Sequence, residues 1–161
     1  MEIVSLRTEY LRNPIGIDAI SPRLGWKITS ERTDVMQSAY QVQAAESPDF
    51  HSILWDSGRV ETYRSQGVSY GGPGLSSMER VYWRVRIWDN LGQISDYSEP
   101  AFFEMGLLSV SDWHAKWIEP EAEIDPDAYK PAPYLRREFT VKTGLVSARA
   151  YLSAKGLYTF S

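Results

Sequence analysis

Cysteine is absent from this 161-residue chain, and histidine occurs only twice. Without cysteine there can be no disulfide, no thiolate zinc site and no cysteine nucleophile. The same absence fits a reducing compartment, and a cytoplasmic location is expected. No apolar run approaches the roughly 18 residues that would span a bilayer, so no membrane association is expected. Residues Met1 to Arg7 show no basic segment followed by an apolar one, and no signal peptide is expected. The 17 Lys and Arg residues are outnumbered by 21 Asp and Glu, for a net charge of −4, and the basic residues do not cluster. Nucleic-acid affinity comes largely from phosphate neutralisation, so no nucleic-acid partner is expected. Helical periodicity is lacking as well.

What the chain does have is aromatic bulk: 6 Trp, 10 Tyr and 5 Phe in a sequence that is 43% apolar. Such residues favour strands and fill cores. The length suits one full domain with part of a second. Residues 1–106 carry 10 Lys and Arg against 14 Asp and Glu, whereas residues 107–161 carry 7 of each. Within the first part, Leu24, Trp26 and Ile28 alternate with Gly25 and Lys27, and Tyr40, Val42 and Ala44 alternate with Gln41 and Gln43. Further strands are expected at Ile53–Val60, Val68–Tyr70 and Phe102–Met105. The strongest is Val81–Trp88, where Val81, Trp83, Val85 and Ile87 form one row and Tyr82, Arg84, Arg86 and Trp88 the other. Asp89-Asn90-Leu91-Gly92 then supplies a turn. Short alternating strands separated by turn residues predict an all-β antiparallel sandwich.

In the second part, strands are expected at Ala115–Ile118, Tyr134–Val141, Ala148–Ser153 and Gly156–Ser161. So few strands leave unpaired edges, which would pack on the first domain, pair with another copy of the chain or stay poorly ordered. Between them, Glu119 to Asp127 is acidic and punctuated by proline, which reads as an exposed loop rather than a calcium site. Gly71-Gly72-Pro73-Gly74 reads as a hairpin connection, since no Lys-Ser/Thr follows it as in a phosphate loop. Trp55-Asp56-Ser57-Gly58 reads as a strand end and turn, with a binding loop as the alternative. Trp113 and Trp117 flank His114, and aromatics so placed are expected to plug a domain junction.

The pattern Leu75, Val81, Trp83, Val85, Ile87, Asp89, Gly92 resembles the end of a fibronectin type III domain. That resemblance places a corner tyrosine at position 81, yet the tyrosine stands at 82. A longer resemblance covers nearly the whole chain. Leu6–Asp18, Ser21–Trp26, Gln37–Val42, Trp55–Val60, Tyr82–Arg86, Ser111–Ile118 and Pro133–Phe139 are similar, in order, to the start of bacterial α-L-rhamnosidases of glycoside hydrolase family 78. This implies a fibronectin type III-like sandwich over residues 1–108. It also implies that residues 109–161 are the first strands of a second, incomplete jelly-roll β-sandwich. A catalytic (α/α)6 barrel would come much later in such a polypeptide.

Glycoside hydrolysis by inversion needs two carboxyl groups about 6.5–9.5 Å apart across a cleft. The acidic residues of the first domain are scattered through turns and strand ends, and the helical barrel is not here. No residue is therefore assigned a catalytic, cofactor-binding or metal-binding role, and no cofactor is expected. The resemblance implies a non-catalytic accessory region whose partner is the remainder of a rhamnose-releasing hydrolase, with a rhamnosylated glycan as a further partner. The alternatives are a stand-alone carbohydrate-binding module and a protein-interaction module. The candidate site residues are Tyr82, Arg84, Arg86 and Trp88, and three readings stand for them. The row can be a cation–π stack that includes Tyr97, an interface with a later domain, or a platform for a sugar ring.

Overall fold

In the computed structural model, which describes residues 1–119 and 133–160, the alternation along residues 80–89 becomes a ten-residue strand buried at every second position. Nine strands form among the described residues: β1 (Glu2–Thr8), β2 (Ile15–Ile17), β3 (Arg23–Thr29), β4 (Gln37–Ala45), β5 (Ile53–Asp56), β6 (Val60–Glu61), β7 (Val68–Ser69), β8 (Arg80–Asp89) and β9 (Ala101–Met105). They build a three-stranded sheet, β1-β3-β7, and a larger sheet in the order β2-β9-β8-β4-β5, with β6 also on β4. This is the expected all-β, fibronectin type III-like sandwich. One edge departs from the antiparallel rule, because β2 runs parallel to β9.

The spine of the larger sheet is the antiparallel pair β4–β8, which runs from Gln37 opposite Asp89 to Ala45 opposite Tyr82. Val42 faces Val85, Tyr40 faces Ile87 and Ala44 faces Trp83, so one face of both strands is apolar. That face meets Leu24 and Trp26 of β3 and Phe103 and Met105 of β9 in a single core. Each large side chain so buried stabilises the fold by roughly 1.5–3 kcal/mol.

The buried indoles carry their own partners. Trp26 Nε1 donates to Gln37 Oε1 at 2.9 Å, and the Gln37 amide donates in turn to the carbonyls of Thr62 and Arg64. Trp83 Nε1 donates to Thr8 Oγ1 at 3.2 Å. Gly25 leaves room beside this core for the Gln66 side chain, whose Oε1 lies 2.6 Å from where a Cβ would stand. Gln66 itself donates to the Trp26 carbonyl at 2.6 Å, which ties the loop before β7 onto β3.

The corner tie is missing, in keeping with a valine at position 81: Val81 is fully buried, and Tyr82 points to the outer face with its ring 5.9 Å from Phe102. Other expectations are corrected. Residues 71–74 do not join a hairpin, because β7 and β8 lie in different sheets and the segment crosses between them. The segment expected as one strand over Ile53–Val60 is two short edge strands on β4, broken at Ser57-Gly58.

The second unit, Lys116–Ser161, carries no strand or helix among its described residues. The strands expected at Tyr134–Val141 and Ala148–Ser153 do not form there, nor does one form over the described parts of 115–118 and 156–160. A strand exists only as a member of a hydrogen-bonded ladder, and no described residue of this unit supplies one. Tyr134, Phe139, Val146 and Leu157 are exposed. The acidic stretch from Glu121 to Asp127, with the expectation attached to it, lies outside the described residues.

The Tyr70 hydroxyl is buried with no hydrogen-bond partner among the described residues, and the Tyr70 ring makes edge contacts with the Trp55 and Phe103 rings. A buried unsatisfied hydroxyl costs about 1–3 kcal/mol. Tyr70→Phe is therefore expected to raise unfolding stability by about 1 kcal/mol in urea denaturation, with an unchanged denaturant slope.

Candidate functional site

Because β4 and β8 are both in period two and in register, their polar positions fall opposite each other on the outer face. Arg84 stands across from Gln43 and Arg86 across from Gln41, while Asp56 of β5 lies on the other side of Gln43. Each guanidinium donates through two nitrogens to one amide oxygen. Arg84 reaches Gln43 Oε1 at 3.0 and 2.8 Å, and Arg86 reaches Gln41 Oε1 at 2.9 and 2.7 Å. Both glutamine amides then donate to the one Asp56 carboxylate, Gln41 at 2.7 and 2.9 Å and Gln43 at 2.8 Å. Two cations are thus linked to a single anion through neutral relays.

Aromatic rings frame the relay. The Arg84 guanidinium lies 4.2 Å from the centroids of both Phe50 and Tyr97. Arg86 lies 4.8 Å from Tyr97 and 5.5 Å from Trp88, and Arg59 lies 4.9 Å from Trp88. Tyr97 is held over the face by its neighbours, for Ser95 and Ser98 exchange backbone and hydroxyl hydrogen bonds with Ile87 and Val85 of β8. At the far end of the row, Arg80 pairs with Glu104 at 2.6 Å and covers the Phe102 ring at 4.4 Å. Tyr82, Arg84, Arg86 and Trp88 are therefore brought onto one half-buried face, with guanidinium groups over the rings of Trp88 and Tyr97.

Gln41, Gln43, Phe50 and Arg59 join this constellation from outside the candidate row, and Asp56 joins it from the Trp55–Gly58 segment. The signal for the two glutamines was present in the Gln-Val-Gln of β4 and the Arg-Val-Arg of β8, two polar rows of equal spacing that meet once the strands are aligned. The Trp55–Gly58 segment is structural, as its turn chemistry indicates. Ser57 exchanges hydrogen bonds with Val42 through its amide and hydroxyl, and Gly58 N donates to Asp56 Oδ1 at 2.8 Å. Trp113 and Trp117, expected as plugs, are both exposed, and the Lys155 ammonium lies 5.1 Å from the Trp117 ring.

Partial burial pushes the Asp56 carboxyl up, but the Gln43, Gln41 and Gly58 donors and the Arg86 charge outweigh it, leaving its pKa below the usual aspartate value. Asp89 behaves likewise. Burial raises it, while the Gln93 and Leu91 amides and Arg32 bring it below its ordinary range. Glu9 is lowered chiefly by its hydrogen bond to Arg23, Asp49 to about 2 chiefly by the Ser47 hydroxyl, and Asp112 chiefly by Ser77. Every carboxyl with a displaced pKa among the described residues is thus held ionised. A glycosidase general acid requires the opposite displacement. Among the described residues, no group of three or more His, Asp or Glu side chains could hold a metal ion.

A two-layer sandwich with this strand order is an immunoglobulin-class domain, and the comparisons with known proteins narrow the class. Residues 3–109 match the family described as Rha78A-like, N-terminal immunoglobulin domain, and the chain belongs to that family. It is 34% identical to an alpha-L-rhamnosidase of Streptomyces avermitilis, an alignment covering 100% of this chain and 18% of the relative. It is 37% identical to an alpha-L-rhamnosidase of Alteromonas sp., covering 91% of this chain and 17% of the relative. The crystal structure of a Streptomyces avermitilis alpha-L-rhamnosidase complexed with L-rhamnose superposes with a TM-score of 0.71 at 42% identity, over 73% of this chain and 12% of that one. The chain thus spans less than a fifth of the length of the relatives it matches.

The direction of the Asp56 shift sets a pH dependence. A carboxyl whose folded pKa lies below 3.8 contributes stability above that value, and the contribution is lost as pH falls through the folded pKa. The melting temperature is expected to fall as pH drops below about 4. Asp56→Asn should flatten part of that fall, which scanning calorimetry across the acid range would show.

Proposed function

We propose that this chain is the non-catalytic accessory region of an α-L-rhamnosidase-like glycoside hydrolase. The longer polypeptide would release terminal α-L-rhamnose from glycosides by inversion, using carboxyl groups outside this chain. The observation that carries the reading is the match of residues 3–109 to an N-terminal domain family, combined with relatives more than five times as long. The downward displacement of Glu9, Asp49, Asp56, Asp89 and Asp112 supports it, since none of them is poised to donate a proton at neutral pH.

In this reading the half-buried row of Tyr82, Arg84, Arg86 and Trp88 is a contact face for the remainder of the polypeptide. Guanidinium groups held in place by glutamine and aromatic neighbours form a preorganised surface, which loses little side-chain entropy on docking. The exposed apolar side chains Tyr134, Phe139, Val146 and Leu157 fit a second β-sandwich whose ladders would close only when further strands are supplied. A second reading, a carbohydrate-binding module, has one observation in its favour: Trp88 is only half-buried, with Arg59 and Arg86 beside its ring.

The isolated chain is expected to show no turnover of an aryl α-L-rhamnoside; turnover abolished by a single carboxylate substitution would contradict the proposal. Arg84→Ala combined with Arg86→Ala should lower the melting temperature of the longer enzyme more than that of the isolated chain. Equal losses would remove the contact face from the account. Calorimetry with L-rhamnose should register no heat, and binding that disappears in Trp88→Ala would establish the second reading instead.

A further inference from the structure

The chain leaves the β-sandwich through residues 106–113, and a series of polar ties holds this exit. The Gly106 amide donates to the Ile17 carbonyl at 2.7 Å, and its carbonyl accepts from the Met78 amide at 3.0 Å. A Cβ at Gly106 would meet the Gly16 carbonyl oxygen at 3.1 Å, so the exit strand lies tight against β2. Two residues later the Leu108 amide donates to Ser77 Oγ at 2.8 Å. The Ser77 hydroxyl donates onward to Asp112 Oδ2, and the same oxygen accepts the Ser109 amide at 3.1 Å. Ser109 returns the arrangement, its hydroxyl accepting the Ser111 amide at 3.3 Å, so Ser109 and Asp112 form a capping box around the 3-10 turn Val110–Asp112.

Apolar burial does not hold this turn. None of its residues is buried, and Val110 is 89% exposed. A single helical turn is unstable in isolation, because nucleation fixes several dihedrals for one hydrogen bond. A Ser-Val-Ser segment at the end of a domain would ordinarily be a flexible linker. What distinguishes this one is Ser77, which comes from the turn before β8 and touches both ends of the exit at once.

We propose that Ser77 and Asp112 form a clasp that fixes the direction in which the chain leaves the β-sandwich. Ser77 is the anchor on the rigid domain, and Asp112 gathers the Ser77 hydroxyl and the Ser109 amide onto one carboxylate oxygen. The exit becomes a fixed arm continuous with β9 instead of a swivel. This holds whatever the polypeptide beyond the exit does, so it stands apart from the proposed function.

Hydrogen exchange resolved by residue, on the full 161-residue chain, tests the clasp. In Ser77→Ala and in Asp112→Ala, the amides of Leu108, Ser109 and Trp113 are expected to exchange at least about tenfold faster, while those of Arg84–Arg86 in β8 keep their rates. Unchanged exchange at the exit in either variant would overturn the clasp. Equal acceleration in β8 would overturn it too, because the contact would then be an ordinary part of domain stability.

Discussion

The antiparallel pairing of β4 with β8 is the constraint on which the rest of this domain depends. Because side chains alternate with a period of two, one register decides both faces at the same time. Placing Val42 opposite Val85 and Ala44 opposite Trp83 turns four apolar residues of β8 toward the core. The same choice sets Gln43 opposite Arg84 and Gln41 opposite Arg86 on the outside. A slip of one residue would bury two guanidinium groups and expose Trp83. The cost of desolvating an unpaired charge makes such an alternative far less stable than the observed register.

The outer face solves a particular electrostatic problem. Two arginines two residues apart on β8 repel each other, and Asp56 on β5, with β4 lying between, is too far to pair directly with both. The glutamines bridge the gap, each accepting from a guanidinium and donating to Asp56. Their fixed dipoles carry the attraction across β4, and stacking against Tyr97 and Phe50 shields part of it from solvent. Arg fits here where Lys would not, because only a planar fork can place two donors on one amide oxygen while its face lies on a ring.

Much of this was legible in the residues themselves. The alternation in β8 and β4 fixed their inner and outer rows, Asp89-Asn90-Leu91-Gly92 forms its turn with the Asp89 carboxylate accepting the Leu91 and Gln93 amides, and Arg84 and Arg86 do stack with Tyr97. Other features were hidden for physical reasons. In β1 a register shift between Val4 and Arg7, with Ser5 at φ 55°, breaks the period of two that reveals a strand. β2 has only three residues and its parallel partner lies about ninety positions away, so no local pattern marks it. The glutamine relay depends on cross-strand register, and the Ser77 clasp on a contact between positions 35 apart in sequence. The expected strands of the second unit fail for a related reason: alternation gives a strand its faces, but only a partner gives it a ladder.

Denaturant-dependent native-state hydrogen exchange at β4 and β8 tests most directly whether this pair is the spine. The amides of Gln41–Gln43 and Arg84–Arg86 should be the slowest in the molecule and should exchange only through global unfolding, with the full denaturant dependence of the equilibrium transition. Exchange of these amides through local opening, while those of β3 stay protected, would contradict the account and move the organising element to the smaller sheet.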